Sequence, residues 1–154
     1  MSESERNEAA KPNPALEPFR ALVGTWATVG THPMVPGTTF HGRTSFEWIE
    51  GGAFLIMRSR IDEPEIPSGI AIFGTDDKTH ACMMIYFDER GVSRHYEASA
   101  QGNVVRWWRN APELSQRQEV TIAADGRSMQ SRGEMSRDGG TWEKDLELAY
   151  TRIE

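Results

Sequence analysis

The stretch Thr79–Arg109, THACMMIYFDERGVSRHYEASAQGNVVRWWR, decides the fold. It contains three alternating runs, Thr79 to Phe87, Val92 to Ala100 and Asn103 to Arg109, joined by Asp88-Glu89-Arg90-Gly91 and by Gln101-Gly102. A two-residue period gives a strand one buried and one wet face. Short joints that contain Gly are hairpin turns. The same pattern extends outward on both sides. Upstream lie Thr25 to Val29, Thr38 to Ile49, Ala53 to Ile61 and Ser68 to Phe73, separated by the Pro-punctuated loop Thr31 to Gly37, by Glu50-Gly51-Gly52 and by Asp62 to Pro67. Downstream lie Gln116 to Ala123, Arg127 to Ser136 and Thr141 to Arg152, joined at Ala124-Asp125-Gly126 and Asp138-Gly139-Gly140. A meander of this length leaves two unpaired edges, and curling the sheet until they meet removes both. The expected fold is all-β: a single closed antiparallel up-and-down barrel of about ten strands, preceded by a short N-terminal helix.

Residues Met1 to Pro14 are polar and Pro-containing, so a disordered tail is expected there, with 15–154 as the barrel domain. Ala15 to Val23 places Leu16, Phe19, Leu22 and Val23 at helical spacing, with Gly24 as its C-cap. At 154 residues the chain can bury a core without staples. A formal charge of -6 and scattered basic residues argue against a nucleic-acid partner. No run approaches the roughly 18 apolar residues of a membrane span. The lone Cys82 and a charged N-terminus without an apolar h-region fit a reducing, cytoplasmic location.

Alternation assigns the faces. On the last strand Trp142, Lys144, Leu146, Leu148, Tyr150 and Arg152 are expected inside, because Glu143, Asp145 and Glu147 make the other side too acidic to bury. On Val92 to Ala100, Arg94 and Tyr96 are placed inside, with His95 and Glu97 outside. Both faces of Ala53 to Ile61 are largely apolar, so its orientation stays open. Trp107 and Trp108 are adjacent and must point to opposite sides. Phe40, Phe46, Trp48, Phe54, Phe73, Met84 and Leu146 supply apolar walls.

The segment Leu22-Val23-Gly24-Thr25-Trp26, closing a short helix and followed by hairpins that end in Tyr150-Thr151-Arg152, resembles the calycin superfamily. Within it the chain is similar to bacterial DUF1579-type proteins and to nitrobindin-like and lipocalin- or fatty-acid-binding-protein-like barrels. That resemblance implies a central cavity for a small apolar or amphipathic molecule, with Trp26 plugging one end. In the nitrobindin branch it implies haem, held through a His close to the C-terminus and acting on nitric oxide or peroxide species. This sequence has no His beyond His95, and His32 lies in the loop after the first strand. Fatty-acid-binding barrels hold a carboxylate with Arg-x-Tyr on the last strand, where this chain has the reverse, Tyr150-x-Arg152.

Candidate ligand-binding residues are Arg94, Tyr96, Arg58, Tyr150, Arg152, Trp108 and Tyr86. A desolvated guanidinium grips a carboxylate or phosphate through two oxygens, and a neighbouring phenol adds a third donor. Arg94 with Tyr96 is the preferred anchor. The competing account pairs these arginines with internal acids such as Glu47 or Asp145. No catalytic residue is assigned, since no acid–base pair stands at a readable spacing, and His80 and Cys82 fall short of a metal set. The expected function is binding of a small hydrophobic or amphipathic, anionic molecule. The alternatives are a haem barrel and a filled barrel that serves as a structural or homodimerisation module.

Overall fold

The computed structural model describes residues 11–153. Ten strands follow an N-terminal 3-10 helix, Pro14–Leu22: β1 (Gly24–Thr31), β2 (Phe40–Ile49), β3 (Phe54–Ile61), β4 (Gly69–Thr75), β5 (Cys82–Asp88), β6 (Ser93–Gln101), β7 (Val104–Arg109), β8 (Ser115–Ile122), β9 (Ser128–Ser136) and β10 (Glu143–Arg152). Each strand pairs antiparallel with its chain neighbours. β1 pairs with both β2 and β10, so the sheet closes on itself. The all-β barrel expected from the alternation is the fold observed.

The expected short N-terminal helix is present and is a 3-10 helix. Leu16, Phe19 and Leu22 recur every three residues, the period of a 3-10 turn, and all three are buried. Pro18 lacks the N–H that an α-helical ladder would need at that point. Asn13 caps the helix by accepting from the Ala15 N–H at 3.1 Å, and its own N–H reaches the Gly52 carbonyl. Asn13 and Pro14 therefore belong to the fold and not to a tail; residues 1–10 of the expected tail lie outside the described residues. Gly24 is not a C-cap. It opens β1 at φ 142°, a backbone angle that favours glycine, and Val23 occupies the cap position.

The helix lies beneath one end of the barrel and closes it. Leu16, Phe19, Leu22, Trp26, Phe46, Leu55, Phe73, Val105, Val120, Ile122 and Met129 form a continuous apolar core in that half. Phe19 packs on Phe73 at 5.4 Å between ring centroids, and Phe73 on Trp107 at 6.0 Å. Cys82 sits against the helix, its thiol 3.6 Å from the Ala15 carbonyl. Burial raises that thiol above its ordinary pKa, so it stays protonated. His80 does not share its strand face, because β5 begins only at Cys82 and His80 sits in the preceding turn at φ 61°.

Strands β2 and β3 approach closely at Gly42, where an added Cβ would collide with the Arg60 carbonyl oxygen. Backbone cannot yield as a side-chain tip can. Gly42→Ala is expected to destabilise the fold by about 1–3 kcal/mol, measurable as a lowered urea midpoint with unchanged slope.

The face assignment of β10 needs correction, and the structure settles the orientation of β3. β10 carries one extra residue relative to β9: Lys144 opposes Glu134, whereas Glu147 opposes Arg132. Such a bulge reverses the parity of everything before it. Leu148 and Tyr150 face inward as expected, but Asp145 also turns inward, Lys144 is exposed, and Trp142 lies under the Arg117 guanidinium at 3.9 Å. On β3 the core takes Leu55 and Met57, which leaves Phe54, Arg58 and Arg60 exposed on the outer face. Phe54 is accordingly not part of the apolar wall.

Candidate functional site

The other half of the barrel is hollow. A cavity of about 610 Å³ opens between the loops that follow β1, β3, β5, β7 and β9. Its two sides differ chemically. Met57 and Ile61 of β3, Ile66 and Pro67 of the following loop, and Met84 of β5 form an apolar wall. Across the barrel, Gln116 and Gln118 of β8, Ser131 of β9 and Asp145 of β10 form a polar one. Tyr86, Arg94 and Tyr96 stand between the two, and Trp107, Leu148 and Tyr150 lie among the remaining lining. The volume exceeds the roughly 300 Å³ below which an interior is too small for a ligand pocket.

Arg94 and Tyr96 come together as the alternation of β6 expects. The Tyr96 hydroxyl donates to Gln116 Oε1 at 2.8 Å, and the Arg94 guanidinium approaches the same oxygen at 3.4 Å. Gln116 Nε2 in turn donates to Asp145 Oδ2 at 3.2 Å, and His32 Nε2 donates to Asp145 Oδ1 at 2.8 Å. The Met34 N–H donates to His32 Nδ1 at 2.9 Å, so both ring nitrogens are engaged. Burial would raise the Asp145 carboxyl, but the hydrogen bonds from His32 and Gln116 outweigh it and hold its pKa below the usual value. This chain ties the loop after β1 to β6 through β10 and β8. Among the described residues Arg94 forms no ion pair.

Tyr86 lines the cavity beside Arg94, its partner in the β5–β6 register. Its hydroxyl donates to Asp88 Oδ2 at 2.7 Å, and Arg90 closes on the same carboxylate at 2.7 Å. Burial and the accepting carboxylate push the Tyr86 phenol well above its ordinary pKa. Burial alone would raise Asp88, yet its bonds to Arg90 and Tyr86 hold it at about 2. A carboxyl depressed in the folded state stabilises the fold above its unfolded pKa, and that contribution disappears as pH falls through the folded one. Between pH about 4 and about 2, wild type is expected to lose up to about 2 kcal/mol through this group. Asp88→Asn should flatten that part of an acid-unfolding curve.

Tyr150 sits at the floor, buried beside Ser131, and burial raises its phenol pKa despite that hydroxyl's hydrogen bond. The remaining candidates lie elsewhere. Arg58 is on the outer face of β3, paired with Glu47 across β2, which is the internal-pairing account realised on the surface. Trp108 also faces out, between Arg106 and Arg117, because Val105 and Trp107 take the inner side of β7. Arg152 lies below the plug: its guanidinium covers Trp26 at 4.2 Å and donates to the Val23 and Gly126 carbonyls at 2.8 and 2.9 Å. Its place on the last strand puts it past the closed end and outside the cavity. Gln116, Gln118, Ser131 and Asp145 were missed as site residues. For the two glutamines a signal existed, since Val120 and Ile122 share their parity and fix that side of β8 as inner.

Haem does not fit the side chains that line this cavity. His32 is the histidine among them, and neither of its nitrogens is free to serve as an axial ligand. Among the described residues no three His, Cys, Asp or Glu side chains are grouped to hold a metal ion.

Fold and cavity together define a closed ten-stranded antiparallel barrel with a half-filled interior and a cluster of Arg94, Tyr86 and Tyr96 lining its open half. Among solved structures the chain is similar to Rv2717c from M. tuberculosis, with a TM-score of 0.66 at 17% identity over 93% of this chain and 99% of that one. At that identity the likeness is one of fold alone. A DUF3598-family protein of unknown function from Nostoc punctiforme aligns over 92% of this chain and all of its own, at 7% identity and a TM-score of 0.29. No family model and no curated protein matches the chain. No described helix is long and apolar enough to cross a membrane.

Proposed function

We propose that the protein is a calycin-type container that encloses a small amphipathic anion in the open half of its barrel. The observation that carries this reading is Arg94: a half-buried guanidinium lining a cavity of about 610 Å³, without an ion-pair partner among the described residues. Buried charges are normally paired. A cation held toward a cavity against two uncharged partners, the Gln116 amide oxygen and the Tyr96 hydroxyl, has donors to spare for a ligand's carboxylate. Met57, Ile61, Ile66 and Met84 supply the apolar contact that such a ligand's body requires. Binding without chemistry fits the polar wall, whose carboxylate, Asp145, is already committed to His32 and Gln116.

The haem variant of this reading requires His32 to release Asp145 or Met34 first. The filled-barrel variant requires a solid interior. The container reading is tested by titrating the purified protein with 8-anilinonaphthalene-1-sulfonate, a fluorescent ring-bearing anion. One saturable site per chain, displaced by 2-naphthoate, is the expected result. Non-saturable surface binding that naphthoate leaves unchanged would contradict it.

A further inference from the structure

The division of the cavity into two walls bears on which anions fit, and the inference rests on the container reading above. We infer that the ligand is a compact hydroxyaryl carboxylate, amphipathic across its width, and not a flexible fatty acid. Three observations lead there. First, polar groups continue below the anchor. Gln118 follows Gln116 on the same face of β8, and its Nε2 donates to Ser131 Oγ at 2.6 Å and to the Leu146 carbonyl at 3.2 Å. An acyl tail running inward from Arg94 along β8 would lie against this amide and bury its Oε1 without a hydrogen bond.

Second, the cavity is short. Below Gln118 the next inward residues of β8 are Val120 and Ile122, already part of the packed core with Phe73 and Val105. Val120 and Ile122 do not line the cavity, so along β8 its inward end lies at Gln118.

Third, one acceptor is left open. Gln118 Oε1 accepts no hydrogen bond among the described residues. The oxygen lies over Gly133, where any side chain would collide with it. The Arg94 guanidinium reaches Gln116, and Gln118 is the next inward residue of β8, a backbone step of about 7 Å. That span matches an aromatic ring with a carboxylate at one end and a hydroxyl at the other. The carboxylate would meet Arg94, the hydroxyl would donate to Gln118 Oε1, and a ring face would rest on Met57 and Met84.

Calorimetric titration of the full chain with 6-hydroxy-2-naphthoate, 2-naphthoate and dodecanoate tests the assignment without any variant. The hydroxynaphthoate is expected to bind about tenfold more tightly than 2-naphthoate, and dodecanoate more weakly than either. In Gln118→Leu the ratio of the two naphthoate affinities is expected to fall to about one, whatever the change in overall affinity. If dodecanoate binds best, or the hydroxyl makes no difference in wild type, the ring-acid assignment is overturned and the container reading stands. If none of the three binds, both are overturned.

Discussion

Replacing Trp26 with alanine is expected to lower the free energy of unfolding by about 3–5 kcal/mol, the usual cost of emptying a large aromatic site that cannot collapse. Trp26 is fully buried at the closed end, and its Nε1–H donates to the Leu22 carbonyl at 2.9 Å. Tyr150 meets its ring edge-on at 6.4 Å, and Arg152 covers it from below. Removing the indole would therefore leave a void, an unsatisfied carbonyl and a guanidinium without its aromatic face. For a chain of this length the melting temperature should fall by about 10 °C or more. Trp26→Phe keeps most of the volume and loses the hydrogen bond, so a smaller cost of about 1–2 kcal/mol is expected. Equal stability of wild type and Trp26→Ala in urea would mean that the plug is not structural.

Arg94→Leu should act in the opposite way on stability and binding. A charge-assisted contact to a carboxylate is worth about 1.5–3 kcal/mol, so affinity for 2-naphthoate is expected to drop by roughly 10- to 150-fold. The folded protein loses little, because the guanidinium meets only neutral partners, the Gln116 amide oxygen at 3.4 Å and the Tyr96 hydroxyl. Leucine in its place removes a half-buried charge and adds apolar contact beside Met84 and Tyr96. Unfolding free energy should stay level or rise, the pattern of a residue retained for function and not for folding. A variant that binds 2-naphthoate as wild type does would remove Arg94 from the site. Calorimetry and urea titration on the same preparation separate the two effects.

Much of this architecture is readable from the sequence, for local reasons. Alternation persists along nearly every strand, and the joints carry residues suited to tight turns, such as Gly91 at φ 79° between β5 and β6. Arg94 and Tyr96 could be placed because Ser93–Gln101 runs without a bulge and His95 and Glu97 needed water. β10 failed for the opposite reason. Nothing in Trp142 to Leu148 announces the extra residue that turns Asp145 inward, since the bulge is fixed by pairing with β9 and by the His32 and Gln116 partners across the barrel. Arg58 and Trp108 show a second limit. In Phe54–Ile61 and Val104–Arg109 both parities offer large apolar side chains, so only closure of the barrel selects Met57 and Trp107 as the inner ones. Arg152 was assigned to the correct side of its strand but to the wrong depth, because parity carries no information about position along the barrel axis.

The account depends on an open upper half whose guanidinium receives an acid. Diffraction from crystals of the full chain grown with 2-naphthoate examines this directly. The expected density is a ring against Met57 and Met84, with its carboxylate within hydrogen-bond distance of the Arg94 guanidinium. An interior filled by the protein's own side chains, or naphthoate found only on the outer surface, would contradict it.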